Sequence, residues 1–428
     1  MIADRPAVYL HIGAMKTGTT YLQGKLSENR AALHRAGFLV PGQDWAHRVW
    51  AAEDAVRVHW DDPAVRERRR GAWQAMADEM LAHRASAVFS MEFLSFARPW
   101  QAGRIVDSLA GADVSVVLTV RDTAAVIPSQ WQTTVRSGAR ISWPDHLRGV
   151  RQAGTVRARR RRTQPPALRS FLRAADIPRM LQVWGEVVPR ERLHVVTVRP
   201  SRTDPDLLWR RFAEAIGLDP ALPTTPSPKV YGSLGFASTE LLRQVNEKLG
   251  RQRRTDYVGT VKNVLAREIL ATRRGQETRV GLDDRTREFA AAWNRRVRKA
   301  ITRSGVHVVG DLDDLPRSPS SAPGGFRSEP EQAEILEAAA VAVEGMDRLV
   351  RHRLRQRRAR GEDLPIRLGR PLVASPDRWA LAPDPVGAAT DEIAALCLVA
   401  MEHRRQLAPG KPQVASERAG IRWPESMR

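Results

Sequence analysis

Short continuous apolar runs alternate along this chain with stretches in which apolar residues recur at helical spacing. Residues 7–12 (AVYLHI), 86–91 (SAVFSM), 113–120 (DVSVVLTV) and 192–198 (RLHVVTV) are too short for buried helices. They read as strands covered on both faces. Val306–Val309 reads as one more short strand, ending in Gly310-Asp311. Between these runs, Leu22, Leu26 and Leu33 mark an amphipathic helix from about Thr19 to His34. Further helices are predicted over 64–84, from about Thr123 to Val135, and over 205–216, where Gly217 supplies a stop signal. Strands alternating with helices predict an α/β fold, a parallel sheet flanked by helices on both faces.

The later chain has a different texture. Residues 149–166 combine a run of arginines with a closing Pro-Pro and are expected to be an exposed loop. A helical region spans about 235–303, with Leu241, Leu242, Val245 and Leu249 on one face. The stretch PRSPSSAPGGFRSEP (316–330) reads as a linker. Beyond it come a helix at 331–358, a proline-broken stretch and a helix at about 388–407. The predicted organisation is a main domain over 1–315 with a variable insert at about 139–180, the linker 316–330, and an extra helical C-terminal segment over 331–428.

Composition narrows the setting. Hydrophobic residues make up 42% of 428, enough for a sizeable core. No apolar run reaches the 18 or so residues of a membrane span. The N-terminal residues run directly into a strand candidate, so no cleaved signal peptide is expected. A single cysteine, Cys397, leaves no intrachain disulfide and no cysteine-based zinc cluster. These features fit a reducing cytoplasm. The net charge is +21, and only 7 of the 69 basic residues are lysine. That charge has two readings, a surface for anionic partners or an arginine-favouring base composition. Either way, a lysine inside a glycine-containing loop stands out.

Such a loop is His11-Ile-Gly-Ala-Met-Lys-Thr-Gly-Thr-Thr20, between a strand and a helix. Gly13 and Gly18 permit backbone conformations closed to other residues. The helix start offers unpaired N–H groups to an anion. Thr17, Thr19 and Thr20 add hydroxyls, and Lys16 a compact positive charge. The triphosphate-binding loop of NTPases places Gly-Lys-Ser/Thr at the helix start; here lysine precedes the second glycine. The order Lys-Thr-Gly-Thr-Thr resembles the 5'-phosphosulfate loop of sulfotransferases that use 3'-phosphoadenosine 5'-phosphosulfate (PAPS). The resemblance implies that Lys16, Thr17, Gly18, Thr19 and Thr20 hold the phosphosulfate. Tyr21, where many relatives carry an aromatic residue, would stack on adenine or else serve helix packing.

A second match is Arg121 at a strand end, with Ser129 eight residues on. In the family this pair binds the 3'-phosphate, and arginine's fork suits phosphate oxygens. Third, Glu92 follows a Val/Phe strand directly. In bacterial and glycan-modifying members a glutamate near this point is the catalytic base, whereas the animal cytosolic branch uses histidine. A carboxylate there could deprotonate an acceptor. His11, His59 and His83 are weaker candidates. Lys16, Glu92 and Arg121 each follow a separate strand, and the carboxyl ends of parallel strands form one binding edge.

The resemblance is clear over about 7–135 and extends to about 310. It points to the bacterial branch and implies the P-loop-like sulfotransferase fold, catalysis by Glu92 and Lys16, PAPS as co-substrate and no metal. The family's later nucleotide contacts have only Pro228-Lys229-Val230-Tyr231-Gly232 as a counterpart, without the Arg-Lys-Gly triplet of the cytosolic branch. The expected acceptor is a small molecule or glycan, shaped by about 44–84, the basic loop and the C-terminal helices; Arg157 and Arg159–Arg162 could attract an acidic one. No nucleic-acid module stands out, and a homodimer stays open. The rival readings are a non-catalytic nucleotide- or nucleic-acid-binding basic protein and a P-loop nucleotide kinase.

Overall fold

The computed structural model describes residues 5–58, 63–159, 163–199, 204–227, 234–319, 326–362, 372 and 375–407. They fall into two compact units, each assembled from three separated segments. The first comprises Met1–Ile127, Val150–Val230 and Asp284–Ser321; the second comprises Pro128–Gly149, Tyr231–Asp283 and Ala322–Arg428. The C-terminal helices thus share a unit with 128–149 and 231–283.

The first unit is a six-stranded, all-parallel sheet flanked by helices. Its strands are β1 (Ala7–Gly13), β2 (Phe38–Leu39), β3 (Ser86–Ser90), β4 (Asp113–Arg121), β5 (Leu193–Val198) and β6 (His307–Val309), in the order β2-β3-β1-β4-β5-β6. The Val/Leu-rich runs are buried on both sides, as parallel strands require. On one face Val88, Val117 and Val196 pack with Leu22 and Leu26 of the helix Thr19–Glu28 and with Trp209 and Phe212 of Leu207–Ala215. On the other face Phe89 meets Trp73 of Ala72–Ala82 edge-on, ring centroids 5.5 Å apart. β1 lies between β3 and β4. The chain leaves β1 towards β2 and β3, then crosses it to continue through β4, β5 and β6. Such a reversal opens a crevice at the carboxyl ends of the strands.

Several predicted elements are divided. The helix expected from Thr19 to His34 breaks at Asn29 into Thr19–Glu28 and Arg30–Arg35. The Asn29 amide is drawn into a reciprocal pair with the backbone of Thr225: its Nδ2 donates to Thr225 O, and Thr225 N donates to its Oδ1. The helix expected over 64–84 breaks at Gly71, φ 80°, into Pro63–Arg69 and Ala72–Ala82. The loop expected from 149 is helical at first. Trp143–Arg151 continues through Gln152–Gly154 into the turn Val156–Arg159, because Val150 and Ala153 bury apolar side chains. Arg160–Arg162 lie outside the described residues. Strand β2 is two residues long, too short to carry a periodic signal.

In the second unit, helices Phe236–Leu249, Gln332–Ala359 and Pro385–Leu407 bury Leu242, Val245, Met346, Val350, Ile393 and Leu396. Cys397 is fully buried among them, and burial pushes its thiol up to about 12. The stretch Val258–Ile269 is a π-helix. No helix among the described residues is long and apolar enough to cross a membrane.

Candidate functional site

The loop after β1 is shaped by its backbone. Gly13 has φ 112°, and a Cβ there would lie 3.2 Å from the Cβ of Glu92. The Gly13–Ala14 peptide is cis. Lys16 takes a left-handed conformation, φ 67°, and Gly18 another, φ 92°, as the residue that starts the helix Thr19–Glu28. Tyr21 N and Leu22 N donate back to Gly18 O. Thr19 and Thr20, the first residues of that helix, lie before the first intrahelical acceptor and so have no carbonyl of the helix to donate to.

A buried polar network holds the turn from below. His11 Nδ1 lies 2.7 Å from Ser90 Oγ, and Nε2 lies 3.3 Å from Thr119 Oγ1. Thr119 Oγ1 donates to Gly13 O at 2.9 Å, and Thr17 Oγ1 donates to Ala14 O at 2.6 Å. The two threonine oxygens are 2.5 Å apart. One arrangement suits the imidazole: Ser90 donates to a neutral His11, whose remaining N–H donates to Thr119. Burial supports this by holding the imidazole down at about 3. His11 is therefore a structural residue of the loop floor, and the Thr17 hydroxyl turns inward rather than towards solvent. Thr19 is buried and Thr20 exposed.

Glu92 begins the short 3-10 turn Glu92–Phe96 directly after β3 and Met91. Gln23, one turn into the helix that follows the loop, donates from Nε2 to Glu92 Oε2 at 2.8 Å. The same nitrogen lies 3.4 Å from Ser90 O. Ser95 Oγ donates to Glu92 O at 2.7 Å, and Arg179 donates to the carbonyls of Ser95 and Ala97. The carboxylate thus stands against the loop with its turn pinned on both sides.

Arg121 ends β4 and donates from Nη1 to Lys16 O at 3.3 Å. Its Nε is buried without a partner, and it forms no ion pair among the described residues. Burial holds the guanidinium below its ordinary range, with adjacent Asp122 pulling the other way. Asp122 itself is occupied: its Oδ1 accepts from Ala124 N at 3.0 Å and from Asn294 Nδ2 at 2.8 Å. Asn294 Oδ1 also accepts from Thr123 N, capping the helix that follows. Loop, carboxylate and guanidinium thus follow three adjacent strands, β1, β3 and β4, at one edge of the sheet.

Other predicted residues are placed elsewhere. Tyr21 packs against the core cluster around Trp209 and Phe212 and donates its hydroxyl to Asp206 at 2.5 Å. Ser129 stands in the second turn of Thr123–Arg136, on the stretch that belongs to the second unit. His83 lies against Gly37 O at 3.3 Å. His59 and Pro228–Gly232 fall outside the described residues. Gln23, Thr119 and Asn294 escaped sequence reasoning. Only Gln23 carried a usable signal, lying four residues after Thr19 on the same side of the helix. Comparison with protein-family models, curated proteins and solved structures finds no match for this chain.

Proposed function

We propose that this chain transfers the sulfuryl group of PAPS to a hydroxyl or amine of a small-molecule or glycan acceptor. The observation that carries the reading is Arg121, a largely buried guanidinium with no carboxylate partner among the described residues, whose Nη1 reaches the backbone of the Lys16 loop. A cation left unpaired in a low-dielectric place is costly. A doubly phosphorylated nucleotide lying on this edge supplies the missing anions. The phosphosulfate would sit on the backbone N–H groups of Gly18, Thr19 and Thr20 and the ammonium of Lys16, with the 3'-phosphate on Arg121. Because the Thr17 hydroxyl faces inward, its part in this reading is to stiffen the loop.

In the reaction the acceptor oxygen or nitrogen attacks sulfur. The bond from sulfur to the bridging phosphate oxygen breaks, and the electron pair leaves on 3'-phosphoadenosine 5'-phosphate. Glu92 takes the acceptor proton. Lys16 and the loop amides stabilise charge growing on the leaving phosphate. Positioning and charge supply most of the acceleration, as in phosphoryl transfer.

Calorimetric titration with 3'-phosphoadenosine 5'-phosphate tests the reading. The unaltered chain should bind it, and Arg121→Met should weaken binding about 30-fold, roughly 2 kcal/mol. Lys16→Ala should lower sulfate transfer about 100-fold in a labelled-PAPS acceptor screen. Failure of the unaltered chain to bind this nucleotide in preference to ATP overturns the assignment.

A further inference from the structure

Asp122 follows Arg121 directly, yet the two form no ion pair among the described residues. Sequence neighbours do pair elsewhere in this unit: Arg190 Nε and Glu191 Oε1 stand 3.9 Å apart. A largely buried cation attracts any carboxylate within reach, because leaving it unpaired is costly. Something therefore holds Asp122 back.

Its bonds show what does. The backbone oxygen of Asp122 accepts from Ala125 N and Val126 N at 3.0 and 3.1 Å, so the helix that begins at Thr123 starts from it. Its Oδ1 accepts from Ala124 N at 3.0 Å and from Asn294 Nδ2 at 2.8 Å. Asn294 is buried on the helix Asp284–Ser304, 172 residues further along the chain. Its Oδ1 accepts from Thr123 N at 3.0 Å, and its Nδ2 also donates to Pro316 O at 3.1 Å. A backbone N–H only donates and a carbonyl only accepts, so the amide has one orientation, with its NH2 towards Asp122. Being neutral, it ties down the carboxylate without adding a charge.

We propose that Asn294 is a positioning residue: it withholds the carboxylate of Asp122 from Arg121 and so keeps the guanidinium open for the phosphate of a ligand. The identity of that ligand, a nucleotide bearing a 3'-phosphate, rests on the sulfuryl-transfer reading; the withholding is a property of the chain itself. Released from Asn294, the Asp122 side chain keeps one bond, to Ala124 N, and swings to the cation one residue back. The pair so formed competes with the incoming phosphate for the same N–H groups.

Two measurements on the full chain test this, one with nucleotide and one without. In calorimetry, Asn294→Ala should weaken 3'-phosphoadenosine 5'-phosphate about tenfold, and adenosine 5'-phosphate, which lacks only the 3'-phosphate, less than about twofold. Asp122→Asn removes the charge but keeps an oxygen for Ala124 N. Alone it should bind like the unaltered chain, and added to Asn294→Ala it should restore binding to within about threefold. A residue that only supports the fold would weaken both nucleotides alike and would not be rescued in this way. Asn294→Asp, close in size and still able to accept from Thr123 N, serves if the alanine variant folds poorly. It offers Asp122 no hydrogen, so it should show the same selective loss and the same rescue by Asp122→Asn, whose amide donates back. Without nucleotide, urea unfolding of Arg121→Met, Asp122→Asn and the double variant measures how strongly the two side chains interact. That coupling should be larger in the Asn294→Ala background than in the unaltered chain. Equal losses for the two nucleotides, no rescue by Asp122→Asn, or the same coupling in both backgrounds overturns the proposal. Failure of the unaltered chain to bind 3'-phosphoadenosine 5'-phosphate overturns the sulfuryl-transfer reading instead, and the unfolding cycle still decides the role of Asn294.

Discussion

Arg121 and Arg211 lie at the same edge of one sheet, one strand apart, and their surroundings are opposite. Arg211 Nη1 donates to Thr197 O and Thr197 Oγ1 at the end of β5 and to Asp314 Oδ2 at 2.6 Å. That ion pair is closed off, with side chains 14% and 7% exposed, so it is shielded from water and salt. Even a Cβ at Gly310 would run into Thr197 and Arg211. Among the described residues Arg121 has one carbonyl, an unpartnered Nε and no carboxylate. The residue type is the same, so the difference lies in who supplies the negative charge. Next to β5 the chain supplies it; next to β4 no described residue does. In a sequence with 69 basic residues, charge alone identifies nothing. A missing counter-charge in a buried place is the informative observation.

The contrast can be broken most forcefully by substituting both arginines. Arg211→Met leaves Asp314 buried without a counter-charge, with the Thr197 hydroxyl still donating to it, and should cost about 3 kcal/mol in urea unfolding. Arg121→Met strands no carboxylate and should leave stability unchanged or higher. Equal losses in the two would erase the distinction.

Acid titration sharpens the picture of the loop floor. Burial lowers His11 from 6.5 to about 3 in the folded chain. Below pH 6.5 the unfolded chain binds a proton that the folded one refuses, so stability falls as pH drops from 6.5 towards 3. The slope from this one group is at most about 1.4 kcal/mol per pH unit. His403 is also lowered, to about 4, and contributes in the same direction. The check is therefore the difference between the unaltered chain and His11→Gln, whose profile should be flatter through that window. A parallel pair of profiles would remove His11 from the network.

The smallest expected effect concerns the turn itself. Gly18→Ala places a side chain at φ 92° and forces Leu208 to move from a contact of 2.4 Å. A loss of about 1 kcal/mol is expected, read as a lower Tm, with weaker nucleotide binding if the turn relaxes. An unaltered Tm would mean that the turn tolerates a side chain at position 18.

Much of this edge was legible in the chain because it is local. A Val/Leu run followed by Gly13, by Glu92 or by Arg121 reads as a strand with a chemical group at its tip, whatever surrounds it. What the sequence left open is which strands are neighbours. That β1 separates β3 from β4, and so gathers the three tips, depends on crossovers spanning dozens of residues. The inward turn of Thr17 was hidden for the same reason, since its partner Thr119 lies 102 residues away. The helix break at Asn29 depends on Thr225, 196 residues on. Arg211 looked no different from Arg121 until Asp314 came into place 103 residues later.

The bond from Gln23 to Glu92 bears on how the proposed base would cycle. Gln23 Nε2 also faces the carbonyl of Ser90, which can only accept, so the amide is oriented with its NH2 towards the carboxylate. An amide nitrogen cannot receive a proton from an acid. Once Glu92 has taken one, that proton must reside on Oε1, while Oε2 continues to accept from the amide. The glutamate would then be handed, charging and discharging through a single oxygen, and each turnover would end only when that oxygen had returned its proton to water.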